Sequence, residues 1–209
     1  PGDLHPADRT RLLPRHVFLG SAVRSEPPDA EVEEWLEASD APIVYVSLGS
    51  FLSVRSDVLA LVAAALRGVG EGVEVRVAIA SGSTPTEELG ALPSSWLVRA
   101  VLPQITVLSR SVLAVSHGGN NSVTEALTAG VPLLLLPLST DQFAAAAALE
   151  DAGFGVALDP NTATAEEIRD AALRLLDLDG EARVRLDRMS QELTTTPGAE
   201  RARDALLSA

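Results

Sequence analysis

VLPQITVLSRSVLAVSHGGNNSVTEALTAGVPLLLLPLSTDQ is the sequence of residues 101–142, the stretch that decides the fold prediction. Two apolar runs, residues 112–115 and 131–136, each end at small polar residues that lead into a helix-like segment. This alternation predicts parallel strands joined by right-handed helical crossovers. Open sheets of this kind bind ligands beyond the carboxyl ends of their strands, so the polar residues after both runs predict a binding site.

Strand-like and helix-like patterns alternate along the rest of the chain as well. Strands are predicted at residues 16–20, 43–48, 73–80, 97–102, 112–115, 133–136 and 154–158. Helices are predicted at residues 30–38, 56–69, 121–129, 141–152 and from 164 onward, with breaks near 179–180 and 197–198. The fold class is therefore α/β, a Rossmann-like parallel sheet of about six strands with helices on both faces. Residues 1–29 are expected to form a linker with an edge strand, and residues 30–209 one domain.

The composition excludes several classes of protein. A chain of 209 residues, 46% of them hydrophobic, can bury a full core, and no apolar run approaches the roughly 18 residues of a membrane span. The absence of cysteine excludes disulfides and thiolate metal sites, and it is typical of a cytoplasmic protein. A net charge of -13 argues against a nucleic-acid backbone as partner. The polar start of the chain predicts no signal peptide.

The loop SHGGNNS, residues 116–122, joins the end of a predicted strand to the start of a helix. Gly118 and Gly119 have no side chains to block a close ligand, and the free N–H groups of residues 121–123 would point at an anion. The loop therefore predicts a phosphate cradle, and a plain glycine turn with an asparagine helix cap is the alternative. His117 could donate to a phosphate oxygen, although a lone histidine is more often structural.

Two further groups of residues allow both a structural and a functional interpretation. Ser122 and Glu125 have the spacing of a capping box, but Glu125 could instead accept hydrogen bonds from the two hydroxyls of a ribose. Asp141 is placed to be an ordinary helix N-cap, while the pair Asp141 and Gln142 also offers a carboxylate and an amide to sugar hydroxyls. Both groups would open onto the same crevice.

The loop Ser47-Leu48-Gly49-Ser50 ends the first buried strand and is either a plain turn or a second small loop facing the same ligand.

The sequence lacks the motifs that several other kinds of enzyme and binding site require. There is no G-x-S-x-G motif, no lysine for a Walker loop, and no G-x-G-x-x-G after the first strand. Three scattered histidines without cysteine predict no metal site.

Taken together, these residues resemble the donor-binding signature of the family 1, UDP-glycosyltransferase-like enzymes of GT-B fold. The matching residues are Leu102-Pro103-Gln104, the loop SHGGNNS, Glu125, Gly130-Val131-Pro132, Pro137 and Asp141-Gln142. The segments VYVSLGS and ELGALPSSWLV look like the same family. The resemblance covers nearly the whole chain, but only the C-terminal half of such an enzyme.

The resemblance implies a division of labour among the matched residues. The donor's diphosphate would be contacted by Ser50, His117, Gly119, Asn121 and Ser122. Glu125 would bind the ribose hydroxyls with Gln104 nearby, Asp141 and Gln142 would hold the transferred sugar, and the backbone of Leu102 would contact the base. The expected co-substrate is a nucleotide sugar, UDP-sugar by this resemblance, with no metal and no other cofactor.

Two positions depart from the family pattern. Val101 stands where many relatives carry a tryptophan that stacks on uracil, which would remove roughly 1–3 kcal/mol of stacking. Asn120 stands where plant relatives have a tryptophan, so its donor contact is not transferred. Glu125 is expected to favour a ribonucleotide such as UDP, because its second oxygen would otherwise lack a partner.

The resemblance also implies a second domain. In this family an N-terminal domain binds the acceptor and supplies the histidine base for an inverting displacement, so no catalytic residue is expected in this chain. The predicted function is donor binding for sugar transfer to a small lipophilic or natural-product acceptor, and the chain is expected to be inactive alone. The alternatives are a noncatalytic partner or activator subunit with a decayed donor site, and a nucleotide-sugar epimerase of the same fold.

Overall fold

The computed structural model describes residues 20–49, 55–69, 75–178, 180–195 and 198–207, and at its centre lies strand β1 (Ile43–Ser47). All five residues of β1 are buried. Ile43 and Tyr45 enter the core on one face of the sheet, and Val44 and Val46 enter the core on the other, because alternate side chains of a strand point to opposite faces. Such continuous burial is typical of a parallel strand covered by helices on both sides.

The sheet has six parallel strands in the order β3-β2-β1-β4-β5-β6. The other strands are β2 (Arg76–Ala80), β3 (Leu97–Arg99), β4 (Ser111–Ser116), β5 (Leu133–Leu135) and β6 (Gly155–Ala157). The helices are α1 (Ala30–Glu37), α2 (Ser56–Val69), α3 (Gln104–Leu108), α4 (Asn120–Thr128), α5 (Thr140–Asp151), α6 (Ala165–Leu176), α7 (Gly180–Thr195) and α8 (Gly198–Leu207). A 3₁₀ helix spans Thr86–Leu89.

Helices cover both faces of the sheet, as the sequence predicts. Buried residues of α1, α3, α4, α5 and α7 pack on the face that contains Tyr45. Buried residues of α2 and α6 pack on the opposite face. The α/β class, the six strands and the two helical layers are therefore confirmed.

The predicted end of one strand is wrong, and one short helix was not predicted. The strand predicted at residues 97–102 ends at Arg99, and helix α3 begins soon after it with Pro103 as its N-cap. A helix of five residues is too short to show a hydrophobic period, so the sequence pattern missed it. Of the edge strand predicted at 16–20, only Gly20 lies within the described residues, and it is not in a strand.

The strand order reverses direction between β1 and β4. From β1 the chain goes outward to β2 and β3, and from β4 it goes outward on the other side to β5 and β6. Ser47 at the end of β1 pairs in register with Ser116 at the end of β4. The loops that follow these two strands therefore diverge to opposite sides and leave a crevice, the usual place for a ligand in such sheets.

None of the helices in the described part of the chain combines the length and the apolar character that a membrane span requires.

Candidate functional site

His117 lies in the crevice between the ends of β1 and β4, and its ring is held between two glycines. A Cβ placed on Gly49 would lie 2.7 Å from Cε1 of His117, and a Cβ on Gly119 would lie 2.5 Å from Nε2. No side chain fits at either position without displacing the ring. Gly49 also has a φ of +79°, which itself favours glycine. The loop after β1 therefore faces the same site as SHGGNNS, which favours the second-loop interpretation over the plain turn.

The environment of His117 favours a neutral imidazole. Burial lowers the pKa of His117, and the carboxylate of Asp141 acts in the opposite direction. Nδ1 is buried and has no hydrogen-bond partner among the described residues. A proton on Nε2 leaves Nδ1 without a hydrogen that needs an acceptor, so Nε2–H is the group that the ring offers to a ligand.

Helix α4 starts without a side-chain cap. Its N-cap is Gly119, and the helix begins at Asn120, one residue earlier than predicted. Val123 N–H donates to the carbonyl of Gly119 at 3.0 Å, so the prediction of a free amide at Val123 is wrong. The amides of residues 120–122 come before the first intrahelical bond and carry the positive end of the helix dipole. The alternative of an asparagine helix cap is not borne out.

The capping-box interpretation of Ser122 and Glu125 is also wrong, because Ser122 lies inside α4 and is not its N-cap. Glu125 is buried, 9% exposed, and accepts a hydrogen bond at Oε2 from Nε2 of Gln104. One oxygen of Glu125 therefore has a partner within the chain, and Oε1 is the oxygen left for a ribose hydroxyl.

Gln104 has a second partner that sequence reasoning missed. Its Oε1 accepts a hydrogen bond from the hydroxyl of Tyr45 at 3.0 Å. Tyr45 sits on an otherwise apolar strand, so its pattern indicated only core packing. The available signal was the single phenolic hydroxyl of the chain placed on a central strand, since a buried tyrosine hydroxyl needs a partner.

The loop before α5 uses Gln142 to close its own helix. Ser139 is the N-cap of α5, so the prediction of Asp141 as N-cap is wrong. Oε1 of Gln142 accepts from the N–H groups of Leu138 at 2.7 Å and Ser139 at 3.0 Å. The S-x-x-Q spacing of Ser139 and Gln142 was the signal for this cap. Asp141 is exposed in the first turn of α5.

The two loops meet, as the sequence predicts for groups opening onto one crevice. A Cβ on Gly118 would lie 3.4 Å from the carbonyl oxygen of Gln142. The structure thus brings together His117, Gly119, the start of α4 and the start of α5 on one side, and joins Gln104 to Glu125 beside them.

Three other predicted positions stand as follows. Leu102 is 5% exposed with its side chain in the core, which leaves only its backbone for a ligand. Val101 is 76% exposed next to it. Ser50 lies outside the described residues. Within the described residues no group of acidic or histidine side chains could hold a metal ion.

Comparison with known proteins identifies the family. The model of the family described as UDP-glucoronosyl and UDP-glucosyl transferase matches residues 6–195. The chain belongs to this family. Its resemblance to the family 1 glycosyltransferases of GT-B fold, predicted from the residues around the SHGGNNS loop, is thereby confirmed.

The relatives of this family-1 chain include proteins named as glycosyltransferases. It is 33% identical to an oleandomycin glycosyltransferase of Streptomyces antibioticus over 194 residues, covering 91% of this chain and 43% of that protein. It matches the crystal structure of the glycotransferase of kitacinnamycin with a TM-score of 0.80 and 26% identity, covering 100% of this chain and 52% of that one. VinC, a glycosyltransferase solved in complex with dTDP, matches with a TM-score of 0.66 and 25% identity, covering 92% and 46%.

The chain spans less than half the length of curated relatives that it matches. The family assignment supports a role in sugar transfer.

Proposed function

We propose that this chain binds the nucleotide-sugar donor of an inverting glycosyltransferase that acts on a small lipophilic or natural-product acceptor. The observation that carries the proposal is the His117 ring, held between Gly49 and Gly119 beside the uncapped start of α4. An N–H donor on a fixed ring and a set of free helix amides together suit a diphosphate.

In this proposal the diphosphate lies over the start of α4. Nε2–H of His117 and the amides of residues 120–122 donate to its oxygens, with Gly119 leaving room for close approach. Further donors are the hydroxyl of Ser122, the side-chain amide of Asn121 and Ser50. The net charge of -13 gives no general attraction for an anion, so these local donors supply the binding energy.

The nucleoside and the sugar lie on either side of the diphosphate. Oε1 of Glu125 accepts from a ribose hydroxyl, because Oε2 is engaged by Gln104. The backbone of Leu102 contacts the base. Asp141 accepts from hydroxyls of the transferred sugar, and Gln142 contributes its amide Nε2, since its Oε1 is bound to the chain.

The names of the relatives support this choice of ligands. One curated relative is named for oleandomycin, one solved structure is that of the glycotransferase of kitacinnamycin, and VinC was solved with dTDP. We therefore propose UDP-sugar or another nucleoside diphosphate sugar as donor, with no metal, and a natural product as acceptor.

The proposed reaction needs a second domain. An N-terminal acceptor-binding domain supplies the histidine base, which removes the proton of the acceptor hydroxyl as its oxygen attacks the anomeric carbon. The nucleoside diphosphate leaves with the electrons of the broken glycosidic bond, and the configuration inverts. The residues of this chain hold the leaving group and orient the sugar, and without that domain the chain binds donor but transfers nothing.

Calorimetric titration of this chain tests the donor site. We expect UDP, dTDP and a UDP-sugar to bind, and we expect His117→Ala and Glu125→Ala each to weaken UDP by roughly 10-fold to 100-fold, as lost hydrogen bonds to charged groups do. Glu181→Ala, which removes an exposed carboxylate at the start of α7, is the matched control and leaves the affinity unchanged. Absence of heat with every nucleotide and nucleotide sugar tried would overturn the proposal.

A noncatalytic partner with a decayed site is the second candidate, favoured by the 76% exposed Val101 at the position that would stack on the base. The two candidate functions predict different effects of the same two substitutions. The decayed site predicts that His117→Ala and Glu125→Ala have no effect on the activity of the protein joined to its acceptor domain, whereas the donor site predicts a large loss.

A further inference from the structure

Three side chains form a hydrogen-bonded relay from the centre of the sheet to the edge of the candidate site. The hydroxyl of Tyr45 donates to Oε1 of Gln104 at 3.0 Å, and Nε2 of Gln104 donates to Oε2 of Glu125. The three residues come from β1, α3 and α4. Tyr45 is 4% exposed and Glu125 is 9% exposed, so water competes little for these bonds.

The direction of the relay is set by the carboxylate of Glu125, which only accepts, and the hydroxyl of Tyr45 at the other end is able to donate. Burial raises the pKa of Tyr45 far above its ordinary value, partly offset by a hydrogen bond with Ser47, so the phenol keeps its proton. A protonated phenol offers its hydrogen to the amide of Gln104, and an amide accepts at its oxygen. The oxygen of Gln104 therefore faces Tyr45, and its NH₂ group faces Glu125.

Without the hydroxyl of Tyr45 only the carboxylate of Glu125 selects this orientation, and Oε1 of Gln104 loses the hydrogen bond that Tyr45 donates to it. The oxygen and nitrogen ends of an amide have nearly the same shape, and only hydrogen bonds distinguish them. A rotated Gln104 would place its oxygen against the carboxylate of Glu125, where two acceptors repel each other. Without the hydroxyl, Gln104 would be held by one of these two hydrogen bonds instead of both, so its bond to Oε2, which leaves Oε1 of Glu125 for a ligand, would be less firmly fixed.

We propose that Tyr45 is a positioning residue for ribose recognition, which it supports by holding the side chain of Gln104 in place and through it the carboxylate of Glu125. The proposal rests on the proposed function, in which Glu125 binds the ribose. Tyr45 itself does not touch the ligand. Removal of its hydroxyl therefore weakens the binding only of those nucleotides that carry a ribose hydroxyl.

The test compares UDP with 2′,3′-dideoxyuridine diphosphate, which lacks both ribose hydroxyls and so offers none to Oε1 of Glu125. Dissociation constants of both ligands are measured by calorimetry for the wild-type chain and for Tyr45→Phe. We expect UDP to bind about 5-fold to 10-fold more weakly to the variant, the loss of about one hydrogen bond, and the dideoxy analogue to bind within about twofold of wild type.

Ile43→Val is the matched control for lost stability. Ile43 lies two residues before Tyr45 on β1 and packs in the same core. The variant removes one buried methyl group without touching the relay, so its melting temperature falls and both dissociation constants stay at the wild-type values. Circular dichroism confirms that each variant is folded at the temperature of the titration.

A double-mutant cycle tests whether Tyr45 acts through Gln104. The double variant Tyr45→Phe with Gln104→Ala is expected to bind UDP no more weakly than Gln104→Ala, because the second change removes the path of the first. Additive losses would overturn the proposal, as would equal losses for UDP and the dideoxy analogue or a Tyr45→Phe variant with wild-type affinities.

These outcomes are separable from failure of the proposed function. If the wild-type chain does not bind UDP, both proposals are overturned. If it binds UDP and Glu125→Ala removes the preference over the dideoxy analogue while Tyr45→Phe leaves it intact, only the role of Tyr45 is overturned.

Discussion

Because the ring of His117 lies against Gly119, adding a single methyl group at position 119 should weaken donor binding. Gly119 has a φ of −62°, which alanine adopts freely, so the backbone tolerates Gly119→Ala. The new Cβ would lie 2.5 Å from Nε2 of His117, and the ring must move out of its position. We expect UDP to bind about tenfold more weakly, the loss of one hydrogen bond to a charged group, as measured by calorimetry.

The background of His117→Ala is the control for this substitution. With the ring removed, the methyl group of Ala at position 119 meets no imidazole, so the double variant should bind UDP no more weakly than His117→Ala alone. If the double variant binds UDP more weakly than His117→Ala does, the methyl group obstructs the ligand directly and does not act by displacing the ring.

His117 also makes the stability of the chain depend on pH. Burial lowers its pKa in the folded state below the ordinary value of 6.5 that it has when unfolded. The unfolded state therefore binds the proton more tightly, so the stabilising effect of the neutral ring is complete above pH 6.5 and is lost as the pH falls towards the folded-state pKa.

Urea unfolding of wild type and His117→Asn, at pH 7.5 and at pH 5.5, measures this effect. We expect the wild type to lose more stability between these two pH values than the variant does. Equal losses in the two proteins would contradict a lowered pKa.

At the scale of elements, the capping box of α6 makes a local prediction. Oγ1 of Thr164 accepts from the N–H of Glu167 at 3.2 Å, and Oε2 of Glu167 accepts from the N–H of Thr164 at 2.8 Å. Thr164→Ala removes the first bond and should lower the melting temperature by about 2–4 °C. Thr162→Ala, an exposed threonine two residues earlier, is the matched control and should change it by less than about 1 °C.

Elements with a long, regular pattern could be predicted from the sequence, and short ones could not. The predicted bounds of α2, residues 56–69, agree with the structure, because seven buried side chains repeat along its 14 residues. Helix α3 has five residues and no repeat to detect. The predicted start of α4 was one residue too late, because the N-cap is Gly119, which offers no side chain, and not an asparagine.

At the scale of the whole molecule, one sheet separates two cores, and each core has one tryptophan packed against it. Trp35 packs on the face that contains Tyr45, and Trp96 packs on the other. Every strand contributes to the same hydrogen-bonded sheet, so loss of packing on one face should destabilise the other.

Leu127→Ala in the background of Trp35→Phe tests this coupling. Leu127 is 1% exposed and packs on the face of Tyr45, whereas the remaining fluorescence comes from Trp96 on the opposite face. We expect the free energy of unfolding to fall by about 2–5 kcal/mol, with the fluorescence and circular dichroism transitions shifted equally. A Trp96 transition that stays at its original midpoint would show that the two cores unfold independently.

The sequence by itself determined the fold class, the alternation of strands and helices, and the two polar loops that follow β4 and β5. These features depend on hydrophobic period and turn chemistry, which are properties of neighbouring residues. Only the tertiary structure placed the ring of His117 against Gly49, and joined Tyr45 to Gln104, 59 residues away, and Gln104 to Glu125, 21 residues away. The reason is that such contacts depend on which strands lie side by side, and local patterns do not contain the order of strands in the sheet.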